Sequence, residues 1–153
     1  MCLRKNAKIG KEIKASFKNG KRYFWRVVQT QHTKQRFYAP FKGYPVNVGW
    51  YVSSRRDKVL TSRENRYGDI ELGIHVYNTE ATANAAAKWL RRNRNGNKHA
   101  LSFINGCGKN GYKVIRVIGY ESDFVVGGQD EVTKDAAAVF MKIFIPWQSL
   151  AGK

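Results

Sequence analysis

The sequence predicts a single α+β domain: an antiparallel-rich sheet of about five or six strands, one main helix over residues 79–94, and a basic N-terminal arm. Three observations predict it. Several short runs are rich in aromatic and β-branched residues and are bounded by Gly, Pro and Asn, as strands are. One alanine-rich stretch carries both a start and a stop signal for a helix. The chain has 153 residues, 42% of them hydrophobic, with no internal repeat and no linker, which suits one core in one domain.

The elements follow in order. Residues 1–21 read as the arm and 22–153 as the domain. Lys8, Lys11, Lys14, Lys18 and Lys21 recur at helical spacing. Gly10, Gly20 and the scarcity of apolar positions argue against a long helix there. Arg22–Val28 (RYFWRVV) is the first strand. Neighbouring strand residues alternate faces, so Phe24 or Trp25 must point inward. Pro40, Gly43 and Pro45 mark a loop before a second strand, Val46–Ser53, and Arg55–Tyr67 reads as a polar connection or hairpin tip. Ile74–Tyr77 is a short strand, after which Asn78 or Thr79 can cap a helix through a side-chain oxygen. That helix runs to about Arg94 with Ala81, Ala85, Ala86, Trp89 and Leu90 as its apolar side, and Gly96 as its stop. Asn105–Gly111 (NGCGKNG) reads as a turn, without the spacing of a phosphate-cradling loop. Tyr112–Tyr120 and Val139–Ile145 are the two strongest strands. Between them lie a short strand (FVV), a Gly127–Gly128 turn and a polar loop.

Charge is the unusual quantity. Lys+Arg 28 against Asp+Glu 11 gives a net charge of +17. So large an imbalance repels itself in the folded chain and points to a polyanionic partner. Residues 1–36 hold 11 basic side chains and one acid, whereas residues 119–153 hold three basic and five acidic ones. Three basic groups stand out as candidate phosphate contacts. The first is Lys5, Lys8, Lys11, Lys14, Lys18, Lys21, Arg22 and Arg26, interleaved with Tyr23, Phe24 and Trp25. The second is the loop group Arg55, Arg56, Lys58, Arg63 and Arg66. The third is the helix-end group Lys88, Arg91, Arg92, Arg94 and Lys98. Lysine and arginine neutralise phosphates and release counterions, and exposed aromatics can stack on unpaired bases. Segregation of the charge predicts a one-sided docking surface.

Other classes find less support. Cys2 and Cys107 do not make a disulfide framework and have no ligand partner at metal spacing, so no metal or other cofactor is expected. No apolar run reaches the ~20 residues of a membrane span, and no signal-peptide pattern opens the chain. A reducing cytosol is the expected compartment. His75, between Ile74 and Val76, reads as a structural or surface histidine. Glu121, Asp123, Asp130 and Glu131 read as an acidic loop balancing basic neighbours rather than as an acid/base pair. No catalytic residue is assigned.

Leu72–Leu90 (LGIHVYNTEATANAAAKWL), with the later strands Tyr112–Tyr120 and Val139–Ile145, resembles small uncharacterised phage-borne domains in which a Gly-Ile/Leu-His strand leads into a Thr-capped, Ala-rich helix. The resemblance covers about the second half of the chain and implies a phage origin, hence the cytoplasm of the host cell, with no known activity. The same run resembles the strand-to-helix step of plant ethylene-response-type (Apetala-type) DNA-binding domains, which need no strands after the helix. It is also similar to ADP-ribosyltransferase folds. That likeness would require Arg26, Ser53 and Glu131 to come together as a catalytic set, with loss of NAD turnover on Glu131→Ala.

The expected function is therefore that of a phage-type accessory protein. It would dock electrostatically on nucleic acid or a nucleoprotein complex, without a membrane, and modulate host transcription, translation or defence. An ADP-ribosyltransferase-like enzyme, or an inhibitor covering an acidic site on a host protein, is the alternative.

Overall fold

A computed structural model describes residues 3–31, 36–38, 45–53, 69–70, 73–94 and 107–151. Its strands are β1 (Leu3–Lys5), β2 (Lys21–Gln31), β3 (Arg36–Tyr38), β4 (Pro45–Val46), β5 (Gly49–Val52), β6 (Asp69–Ile70), β7 (Ile74–Tyr77), β8 (Cys107–Tyr120), β9 (Phe124–Asp130), β10 (Ala136–Phe140) and β11 (Lys142–Ile145). The helices are α1 (Ala7–Ala15), α2 (Glu80–Arg94) and the five-residue α3 (Trp147–Ala151). The strands form one sheet in the order β5-β11-β8-β2-β7-β10-β9-β1-β6, with β3 and β4 continuing from the end of β2. Every pairing among the described residues is antiparallel. The α+β class and the antiparallel sheet agree with the sequence. The strands and helices are more numerous than the expected five or six and one.

The long pairing of β2 with β8, from Lys21↔Tyr120 to Gln29↔Tyr112, is the spine. Alternation divides its side chains between two cores. Val27 and Tyr112, with Tyr77, Ala137 and Val139, meet α2 through Ala83, Ala86, Ala87 and Leu90. Phe24, Val28, Ile115 and Val117, with Val76, Ala138 and Phe140, meet α1 through Ile13 on the opposite face. Phe17, Phe24, Phe124 and Phe140 pack in tilted and edge-to-face pairs in this second core, with centroids 5.1–6.2 Å apart.

Several expectations are corrected here, each by a long-range contact. Residues 3–15 are not a free arm: β1 lies between β9 and β6, and α1 is capped by Asn6, whose Oδ1 accepts from the Ile9 amide at 3.0 Å. Gly127–Gly128 is no turn but the middle of β9. A Cβ on Gly127 would sit 2.7 Å from the Gly10 Cα, and one on Gly128 would sit 2.1 Å from the Arg4 carbonyl oxygen. These glycines exist so that α1 and β1 can approach. Val139–Ile145 is two strands: Met141 breaks the run, so that β10 pairs with β7 and β9 while β11 pairs with β5 and β8. Val46–Ser53 likewise divides, Gly49 taking the left-handed φ of 95°. Cys107–Gly111 belongs to β8, where Cys107 pairs with Gln31 across a register shift. On α2 the buried stripe is Thr82, Ala83, Ala86, Ala87 and Leu90, whereas Ala81, Ala85 and Trp89 are exposed. Alanines on all sides of a helix do not say which face the sheet will take. Arg55–Tyr67, Gly96 and residues 105–106 lie outside the described residues. Among those described, no helix is long and apolar enough to cross a membrane.

Candidate functional site

The α2 face of the sheet is only partly covered. The helix lies over β7, β2 and β8, and reaches as far as Arg91, whose guanidinium donates to the Tyr112 carbonyl at 2.8 Å. Further along the same face, the register places Lys21, Tyr23 and Trp25 of β2 beside Arg116, Ile118 and Tyr120 of β8. Next come Lys142 and Phe144 of β11, then Trp50 and Val52 of β5, set opposite them by Phe144↔Trp50 and Lys142↔Val52. Among the described residues no element covers this end: Tyr23 is 47% exposed, and Trp50 and Val52 are each 52% exposed.

The uncovered side chains are arranged as an aromatic surface overlaid by cations. The Trp50 ring lies 5.3 Å from Phe144 and 5.4 Å from Tyr120. The Arg116 guanidinium sits 4.3 Å above the Tyr23 ring, and the Lys142 ammonium 4.7 Å from the Trp50 ring. A cation over the face of an aromatic ring is attracted by the ring quadrupole. Flat π faces and positive charge thus share one surface, where nothing within the described chain neutralises Arg116 or Lys142.

A cavity of about 590 Å³ opens beside this surface. It exists because β7 ends at Tyr77 while β2 continues: Trp25↔Tyr77 is the last pair on that side, and the chain turns at Asn78 and Thr79 into α2. Thr79 begins the helix by accepting the Thr82 amide through Oγ1 at 3.2 Å. On the β7 side, residues 21–24 of β2 therefore have no strand beside them. Arg22 spans the gap, donating to the Asn78 carbonyl and the Ser16 hydroxyl, each at 2.7 Å, and to the Tyr23 carbonyl at 3.3 Å. All three acceptors are neutral, and half-burial draws the guanidinium pKa down.

The turn that enters β2 adds further charge. Asn19 and Gly20 both have positive φ, 55° and 75°, and Lys18 and Lys21 bond each other's backbone in both directions. That is the hairpin turn an Asn-Gly pair favours. It sets Lys18 and Lys21 directly opposite each other, a repulsive arrangement in a β-pair.

The basic residues singled out from the sequence do not converge. Lys5 lies on β1, and Lys8, Lys11 and Lys14 are exposed on α1, across the sheet from α2. Lys88, Arg91 and Arg92 are exposed near the far end of α2, next to Tyr112 rather than to Tyr23, and Arg94 ends the same helix. Arg26 is not on the surface at all. It is 9% exposed beneath Tyr51 and donates to the His75 carbonyl at 2.8 Å. Burial draws its pKa down, with Tyr51 and Tyr77 opposing the shift. Arg55, Arg56, Lys58, Arg63, Arg66 and Lys98 lie outside the described residues. Of these basic residues, among the described ones, only Lys18, Lys21 and Arg22 meet beside the uncovered end. Among the described residues the one-sided surface is thus smaller than the charge pattern implied, and it recruits two cations, Arg116 and Lys142, that no basic run announced.

Among the acids, Asp130 has a structural role. Asp130 is buried and accepts the Thr133 amide and hydroxyl, both at 2.9 Å, which closes the β9–β10 turn. Burial first, and then the Asp130 charge, push the Tyr77 phenol well above its ordinary pKa, against the pull of Arg26. Arg26, Ser53 and Glu131 are not brought together by any contact among the described residues: Arg26 meets the Tyr51 ring and the His75 carbonyl, while Glu131 stands exposed in the turn after β9. Compared with family models, with curated proteins and with solved structures, the chain finds no match.

Proposed function

We propose that this protein binds single-stranded nucleic acid across the uncovered end of its sheet. The observation that carries the reading is the half-exposed pair Tyr23 and Trp50, each with a cation over its ring. A solvated surface has no need for large flat rings, and a protein-free aromatic patch has no need for Arg116 and Lys142. Unpaired bases stack on such rings irrespective of sequence, while the neighbouring cations contact phosphates. A duplex keeps its bases stacked inside and would leave Tyr23 and Trp50 unused, so the single strand is the form that suits this face. The net charge of +17 raises the local concentration of any polyanion and speeds encounter.

The test is fluorescence anisotropy with labelled DNA and RNA strands of about ten nucleotides, a length within the usual range for one such platform. Affinity is expected to fall steeply between about 50 and 200 mM salt, because phosphate contacts release counterions. The matching duplex is expected to bind more weakly. Affinity independent of salt, or a Tyr23→Ala, Trp50→Ala double variant that binds like the parent, overturns the reading.

A further inference from the structure

The aromatic surface explains exposed rings but not the cavity beside it. Three observations about that cavity go together. Its floor is apolar and partly aromatic, built from Tyr23, Trp25 and Ile118. Lys18, Lys21 and Arg22 also line it. Two of these are lysines held face to face by the Asn19–Gly20 turn, and the third is a guanidinium bonded only to neutral oxygens. Like charges held opposite each other, and a half-buried cation whose hydrogen bonds all go to neutral oxygens, are both destabilising in the free protein. An anion placed between them relieves both. Its volume of about 590 Å³ falls within the range of about 300–1,000 Å³ that small-ligand sites occupy.

From these features we infer that the cavity holds one nucleoside 5′-monophosphate unit, with the base against Trp25, Tyr23 and Ile118 and the phosphate between Lys18, Lys21 and Arg22. Resting on the single-strand reading above, the inference makes this unit one nucleotide of the bound strand, turned out of line into the cavity while its neighbours lie toward Trp50. Glu80, at the start of α2, lines the same cavity and supplies the acceptor that base amino groups or ribose hydroxyls require. It also disfavours a bare polyanion, because a carboxylate beside three cations suits a ligand that carries donors as well as negative charge. A free nucleotide presents the same chemistry as a nucleotide within a strand, so the two sources are separated by experiment.

The experiment titrates uridine and adenosine 5′-monophosphate, then the corresponding nucleosides, into the full chain while following backbone amide NMR shifts. Shifts are expected at Lys21, Tyr23, Ile118 and Glu80 and not on α1. The nucleosides should bind at least tenfold more weakly, and the nucleotides should compete with a labelled single strand. Lys18→Ala with Lys21→Ala, both on an exposed turn, should weaken nucleotide binding about tenfold. Ile118→Trp, which fills the floor, should abolish it, and Lys11→Ala on the opposite face should leave it unchanged. Should Ile118→Trp fail to fold, the lysine pair decides alone.

If strands bind with salt dependence but the monophosphates shift none of these residues at millimolar concentration, the cavity inference is overturned and the single-strand reading stands. If nucleotides bind the cavity and strands do not bind at all, the cavity holds free nucleotide and the single-strand reading falls. Equal binding of nucleosides and nucleotides removes the phosphate from the site and overturns the inference.

Discussion

Two ends of one sheet face have been built to opposite specifications. Under α2, Val27, Tyr77 and Tyr112 meet Ala83, Ala86, Ala87 and Leu90, all but excluded from water. A few residues further along β2 and across to β5, Tyr23 and Trp50 are half in solvent, and Arg116 and Lys142 lie over their rings. Strand alternation delivers both ends to the same side, so the difference is not one of local conformation. It arises from where α2 starts. The helix begins at Thr79 rather than nearer β5, and its four small or apolar contact residues match the width of β7, β2 and β8. Residues that a helix does not cover are free to be selected for a partner, and here they combine large apolar area with positive charge.

That contrast can be broken at either end. Removing the largest apolar contact of the covered end, with Leu90→Ala, should cost about 2–5 kcal/mol in urea denaturation, since the cavity left behind adds to the lost transfer energy. A loss under about 1 kcal/mol would mean that α2 is loosely held and the covered end is less of a core than its burial implies.

At the uncovered end the pattern should invert. Trp50→Ala should leave stability within about 1 kcal/mol of the parent while weakening single-strand affinity by about 1–3 kcal/mol, the usual worth of one base-stacking ring. If stability falls as far as it does for Leu90→Ala and affinity does not, Trp50 belongs to the fold and not to a binding face.

The boundary between the ends is set by the helix cap. Thr79→Ala removes the acceptor of the Thr82 amide and should cost about 1 kcal/mol in thermal or chemical unfolding. Thr79→Ser should restore most of it. If Thr79→Ala has no effect, the hydroxyl does not define where coverage stops.

The smallest effect sharpens which cations count. Plotting log affinity against log salt, Lys142→Ala should reduce the slope by about 0.7, one single-strand phosphate contact. Lys11→Ala, on the other side of the sheet, should leave the slope unchanged. Equal reductions would show that the whole cationic surface acts as a diffuse coat.

Several parts of this molecule are legible in its residues alone. Ile74–Tyr77 and Glu80–Arg94 lie where β-branched density, the Thr79 cap and alanine content place them, because those signals are local and act within a few residues. The core of β2 and of β8 follows from the same kind of signal, and the net charge is a property of composition. The Asn19–Gly20 hairpin turn lies inside the stretch that reads as an arm, and an Asn-Gly pair of the kind such turns favour is the signal that reading passed over. Tertiary structure decided the rest, wherever the answer depended on a partner distant in sequence. Gly127 and Gly128 resemble a turn until α1 and β1 press against them, and Val139–Ile145 resembles one strand until its halves pair with different neighbours. The face of α2 that is buried could not be chosen among equivalent alanines without the sheet. The lysines of one sequence run part company, Lys8, Lys11 and Lys14 on α1 and Lys18 and Lys21 at the turn into β2, while Arg116 and Lys142 arrive beside Tyr23 and Trp50 through cross-strand register. Local propensities reside in the residues themselves, whereas register and coverage are properties of pairings across the whole chain, and the candidate site is made of register and coverage.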